Sequence, residues 1–167
     1  AGKVWVASIP DYGMWGGTLA WYDPATETFG SHRHVFPDCS GYSLTYLEED
    51  DLLLAGFSVD AGTGAQPRAA RAGLALWDPH RDAAVWTGDL GLPITSVEDL
   101  CAVGDGLAYA VLLLAENELK PTVAFFDLRA RAVLGIRRLE GPDYGTLFWG
   151  CRTLFRHRDH VYGATWR

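Results

Sequence analysis

The stretch Leu19-Ala-Trp-Tyr-Asp-Pro24 returns as Leu74-Ala-Leu-Trp-Asp-Pro79 and, more weakly, as Val123-Ala-Phe-Phe-Asp-Leu128. Each copy is a short apolar run ending in an aspartate that opens a turn. The aspartates Asp23, Asp78 and Asp127 lie 55 and 49 residues apart. A repeat near fifty residues, made of strand-like text with no helical period, is the signature of a β-propeller blade.

Working outward from that phrase, the four strands of a blade are labelled A to D from the central axis to the rim. The opening phrase is strand C. Strand B reads Val4-Trp-Val-Ala-Ser8, Leu52-Leu-Leu-Ala-Gly56, Leu107-Ala-Tyr-Ala-Val111 and Val161-Tyr-Gly-Ala-Thr165. Strand D is expected over 28–35, 83–90 and 132–139, and strand A over 43–47, 99–103 and 153–157. The chain therefore divides into a partial blade B-C-D (1–36), two full blades (37–90 and 91–139) and a partial blade A-B (140–167). That is about three four-stranded antiparallel blades of an all-β propeller. Closed propellers use roughly four to eight blades, so the expectation is part of a larger ring. The remaining blades would come from the rest of a parent protein or from other copies of the chain. The absence of an initiator Met points the same way.

The turns support this register. C joins D through Asp23-Pro, Asp78-Pro and Asp127-Leu, where an Asp side chain accepts hydrogen bonds from the following amides and Pro presets the next φ. Repetition in every blade makes these aspartates structural. The A–B and C–D turns are short and polar. The B–C connections (9–17, 58–73, 114–121) and the D–A connections (36–42, 91–98, 140–152) are longer and individual. Antiparallel alternation places all of these long loops on one face. Binding residues concentrate on such loops, so that face is where a site is expected.

Composition limits the partners. The chain is 49% apolar, which allows a sizeable core, and 13% aromatic, which suits pleated sheet faces. The net charge of −7 and the lack of a basic run argue against nucleic acid and anionic membranes. No apolar run nears the roughly 18 residues of a membrane helix, and there is no signal peptide. A soluble protein of undetermined compartment is expected. Cys39, Cys101 and Cys151 are an odd set with no CxxC spacing, so they read as small buried residues and not as disulfides or zinc ligands.

Aligning the A strands on Leu44, Leu100 and Leu154 puts Tyr42, Glu98 and Arg152 at one position, at the channel mouth. A phenol, a carboxylate and a guanidinium there suit a polar ligand, or an ion pair between blades. Asp60 and Thr63 lie in the Gly-rich loop Asp60-Ala-Gly-Thr-Gly-Ala-Gln66, which lacks the GxGxxG pattern and the following helix of a nucleotide site. Trp15 and Trp149, with Tyr12, Tyr144 and Phe148, are loop aromatics that suit either a sugar-stacking platform or the packing of blade on blade. His32 and His34 share one side of a strand but lack a third metal ligand, so an exposed polar stripe is expected. No catalytic residue, metal or cofactor is assigned.

The phrases Trp21-Tyr-Asp-Pro-Ala-Thr26, Trp77-Asp-Pro79 and Val85-Trp86 resemble the blades of bacterial quinoprotein-like, gluconolactonase-like and streptogramin-lyase-like propellers. Pro37 to Leu44 and Gly56 to Gly64 resemble their inter-strand loops. The resemblance covers essentially the whole chain and implies scaffold, not chemistry. The carboxylate-and-amide metal set of the gluconolactonase group cannot be assembled here, since Asn117 is the sole Asn. The His/Glu arrangement of the lyases has no counterpart. The function expected is a binding module for a small molecule or carbohydrate on the long-loop face. The alternatives are a metal-assisted lyase or lactonase-like enzyme and a protein-interaction scaffold.

Overall fold

A computed structural model describes residues 2–139 and 154–163. Thirteen strands run through them, and no helix among the described residues is long and apolar enough to cross a membrane. Strands β1 (Val4–Ser8), β2 (Thr18–Asp23) and β3 (Thr28–Arg33) form an antiparallel meander. A second meander holds β4 (Ser40–Leu47), β5 (Leu52–Ser58), β6 (Leu74–Asp78) and β7 (Ala83–Gly88). A third holds β8 (Ile94–Gly104), β9 (Leu107–Leu114), β10 (Asn117–Asp127) and β11 (Ala132–Arg138). Strands β12 (Phe155–His157) and β13 (His160–Tyr162) form a two-stranded ribbon. The expected strand order is thus present in an all-β propeller fold.

In the second and third meanders the outermost strand is the least buried. β5 is buried along almost its whole length, whereas β7 and β11 are largely exposed. A strand covered on both faces reads as a continuous apolar run, and Leu52-Leu-Leu-Ala-Gly-Phe is one. The main core joins Leu54, Leu74, Ile94, Val97, Leu112 and Phe126 of the second and third meanders. A smaller cluster, Leu19, Leu53 and Trp77 with Trp5, joins the first meander to the second.

The repeat aspartates act as the sequence implies. Asp23 Oδ1 accepts from Ala25 N at 2.9 Å, Asp78 Oδ1 from His80 N at 2.9 Å, and Asp127 Oδ1 from Ala130 N at 2.8 Å. The fourth residue after each aspartate, Glu27, Asp82 and Arg131, has φ near +55° (56, 54 and 54). A left-handed residue closes each turn and returns the chain to the next strand.

Two connections differ from expectation. β8 begins at Ile94, five residues before the expected start, because its first residues pair with the end of β9. The connection expected over 114–121 is largely strand, since β9 reaches Leu114 and β10 starts at Asn117.

The second and third meanders meet along their first strands. Ser43 Oγ donates to the Val97 carbonyl at 2.8 Å. Gly56 lies against this contact: a Cβ there would fall 2.3 Å from Ser43 Oγ and 2.4 Å from Val97 Cγ1.

Gly56→Ala is therefore expected to cost about 1–3 kcal/mol by overpacking. Gly135→Ala, on the open outer strand where a Cβ meets nothing within 4 Å, should stay within about 0.5 kcal/mol of wild type. Urea unfolding of both variants checks this, and equal effects would contradict the packing. The Asp78 carboxyl is held below the usual range, first by the Arg81 amide, then by the His80 amide and the Arg81 and His80 charges. A depressed folded value stabilises above the unfolded value, and the effect is lost as pH falls through the folded one. Asp78→Asn should therefore flatten the acid limb of the melting-temperature profile below about pH 4.

Candidate functional site

The innermost strands carry an irregularity that strand propensity does not show. β4 has a bulge between Gly41 and Ser43, and β8 has three irregularities, of which the one between Val97 and Asp99 matches it. The extra residues are Tyr42 and Glu98, two of the three that the leucine alignment put at one repeat position. A bulge inserts one residue and re-aims its side chain, and bulges recur beside functional sites. Ser40 and Ser96, two residues before them, both pair with Ser58 of β5, so Tyr42 and Glu98 occupy corresponding positions on the strands either side of β5.

Each is held from its own loop or strand. The Tyr42 hydroxyl donates to Asp60 Oδ2 at 2.6 Å. Glu98 is only 7% exposed, and its Oε1 accepts from Ser96 Oγ at 2.5 Å. A buried carboxylate needs such partners to offset its desolvation. Between them runs a row of buried serines: Ser40 is paired with Ser58 on β5, and Ser58 with Ser96 on β8. Ser40 Oγ donates to the Asp60 carbonyl at 2.5 Å, and the Asp60 amide donates to Ser58 Oγ at 3.2 Å. The Ser58–Ser96 bridge is where the second and third meanders join into one eight-stranded sheet. The mouth of the inner strands is thus a hydroxyl row flanked by two carboxylates and a phenol. The three serines were not singled out from sequence, although Ser40 and Ser96 each stand four residues before the shared leucine.

Two long loops dock above this mouth. The Gly62 amide donates to the Met14 carbonyl and the Gly13 amide to the Thr63 carbonyl, each at 2.9 Å. Trp15 Nε1 donates to the Gln66 carbonyl at 2.7 Å, and the Arg68 guanidinium lies 3.4 Å above the Trp15 ring. Thr63 itself is exposed and contributes its backbone to the docking. Trp15 serves loop-to-loop packing with one face covered by a cation, an arrangement of about 0.5–2 kcal/mol. Below these loops a recess of about 260 Å³ is lined by Ser8, Asp11, Met14 and Arg33 among others. Arg152 and Trp149 lie outside the described residues, as do Tyr144, Phe148 and Cys151.

The histidines of β3 and its end are engaged locally. His32 Nε2 lies 2.9 Å from Asp82 Oδ2, with its ring against Trp77, and His34 Nδ1 lies 3.8 Å from Asp38. No group of three His, Cys, Asp or Glu side chains suited to a metal occurs among the described residues. Cys39 and Cys101 are buried and unbridged. Burial, aided by the Asp38 charge, pushes the Cys39 thiol up to about 12, so it is not a nucleophile at neutral pH.

Larger recesses open on the short-turn face. One of about 420 Å³ lies between the β4–β5 and β8–β9 turns, where Arg129 binds Asp50 at 2.8 Å and the Asp105 amide donates to Glu49 at 2.8 Å. Another of about 780 Å³ lies between β1 and β4. At its rim Asp51 accepts from the Tyr46 hydroxyl, and His80 Nε2 lies 2.5 Å from it. These bonds, the one from Tyr46 foremost, hold the Asp51 carboxyl low.

No family model matches the chain, and no curated protein matches it. Among solved structures it is similar to the β-propeller domain of the trilobed protease from Pyrococcus furiosus, described as having an open velcro topology. There the identity is 8%, the TM-score 0.51, and the match covers 97% of this chain and 48% of that one. A chain in a mitotic checkpoint complex matches at 8% identity and TM-score 0.45, over 81% of this chain and 53% of that one. A chain of Kuenenia stuttgartiensis hydrazine synthase matches at 12% identity and TM-score 0.35, over 79% and 47%. The first of these shows the propeller fold. The chain spans about half the length of the structures it matches.

At Gly62 a Cβ would fall 1.9 Å from the Asp11 carbonyl oxygen. Gly62→Ala should undock the two long loops, so that limited proteolysis cuts within 9–17 or 59–73 at least about tenfold faster, with little change in the global melting temperature. Unchanged cleavage would mean that the loops are not held by this contact.

Proposed function

We propose that the chain is the ligand-presenting part of a propeller binding module, with its site at the long-loop mouth of the innermost strands. The observation that carries this reading is the pair of matching bulges. Tyr42 and Glu98 are the extra residues of those bulges, two positions beyond Ser40 and Ser96 of the buried row Ser40, Ser58 and Ser96, and Tyr42 is bonded to the Asp60 carboxylate. A buried carboxylate is costly to keep at this mouth. Carboxylates accept hydrogen bonds from hydroxyl and ammonium groups, while serine hydroxyls and the phenol both donate and accept. The set suits a small polar molecule rich in hydroxyls, with a monosaccharide or sugar end as the leading class. Glu98 and Asp60 orient the ligand in this reading. Trp15, already stacked under Arg68, shapes the loop above it.

Titration calorimetry against a panel of monosaccharides, disaccharides and linear polyols tests the reading. Glu98→Gln and Tyr42→Phe should each weaken the binding found by about tenfold, the loss of one good hydrogen bond. Tyr42→Phe keeps the fold, since it deletes only a half-exposed hydroxyl. Absence of binding across the panel, or binding indifferent to both variants, would overturn the assignment.

A further inference from the structure

We propose that the two docked long loops form an interaction surface for an acidic peptide segment of a partner protein, gripped by the guanidinium groups of Arg33 and Arg68. Both groups are held on Trp15. The Arg68 guanidinium stacks 3.4 Å above the Trp15 ring, and Arg33 Nη2 donates to the Trp15 carbonyl at 3.4 Å. The ring is itself fixed, because its Nε1 donates to the Gln66 carbonyl at 2.7 Å. Stacking occupies the flat face of a guanidinium and leaves the N–H donors along its edge to face a carboxylate. Arg71, Arg81, Arg129 and Arg138 each sit on an Asp or Glu. Arg33 and Arg68 form no ion pair among the described residues, although the chain carries a net charge of −7. Both are exposed. They are placed donors without an acceptor.

The side chains around the pair have the character of an interface. Tyr12 is 79% exposed and lies along Gly64 of the opposite loop, where a Cβ would fall 2.7 Å from its ring. Ile9 and Met14 are exposed as well, and with Arg33 they line a recess of about 260 Å³. Aromatic residues, Met and Arg are enriched at interfaces, where Trp, Tyr and Arg supply most of the binding energy. Asp11 lines the same recess without pairing to Arg33, and two guanidinium groups outweigh its single charge. Charge complementarity therefore selects an acidic partner. The rest of an acidic chain repels such a segment, which confines it to this patch. A segment fits better than a lone small anion, because the exposed apolar side chains beside the arginines need apolar residues to cover them. The surface is one unit because the loops are joined through the Gly62–Met14 and Gly13–Thr63 backbone bonds.

The test titrates the protein into a fluorescently labelled peptide rich in glutamate and leucine and follows its anisotropy. A counterpart with glutamine for glutamate is the neutral probe. The acidic peptide should bind at least about tenfold more tightly than the neutral one, and Arg33→Gln and Arg68→Gln should each weaken it by about tenfold. Arg137→Gln removes an arginine that is exposed on β11 and likewise forms no ion pair among the described residues; it should leave binding unchanged. Absence of binding, equal binding of the neutral peptide, or an equal loss in Arg137→Gln would overturn the proposal. So would full displacement by free glutamate at the concentration of the peptide, which would assign the pair to a small anion. None of these outcomes depends on whether the mouth at Tyr42 and Glu98 holds a sugar.

Discussion

The close approach of β4 to β8 is the constraint on which the rest depends. Ser43 reaches the Val97 carbonyl at 2.8 Å, and Gly56 leaves no room for a methyl group between them. The same pattern recurs one step round the ring, where the Leu154 amide donates to Asp99 Oδ2. Ser43 and Asp99 both stand immediately before a shared leucine. The second meander is thus tied to the third, and the third to the β12 segment, by polar contacts from the residue before the shared leucine. Polar ties inside an apolar core are stable only when fully paired, and their pairing sets the level at which neighbouring strands meet.

That level determines what the two faces can do. With Ser40 and Ser96 both paired to Ser58, the bulges at Tyr42 and Glu98 lie at one repeat position on either side of β5. On the opposite face the same strands end in tight turns, where Glu49, Asp50 and Asp51 are bound by Arg129, the Asp105 amide, Tyr46 and His80. Those acids serve to hold turn against turn. The long-loop face keeps its acids next to hydroxyls and below docked loops, an arrangement suited to recognition.

Much of this was legible in the sequence because it is local. The period near fifty, the Asp-turns and the inner-to-outer loss of apolar character each rest on residues close in the chain, and all thirteen strands were expected. The leucine alignment even placed Tyr42 and Glu98 together. The bulges were not legible, since an extra residue in a strand carries no distinct composition. The Tyr42–Asp60 bond and the docking of Gly62 on Asp11 join residues from different loops and follow only from the packed fold. The early start of β8 depends on β9 extending to meet it.

The most direct measurement is a set of NMR nuclear Overhauser contacts at Gly56. The account predicts strong cross-peaks from the Gly56 Hα protons to the Val97 methyls and to the Ser43 Hβ protons, all within van der Waals reach. Absence of both, with Gly56 seeing only its own hairpin partners, would separate β4 from β8. The tie between the second and third meanders would then be contradicted.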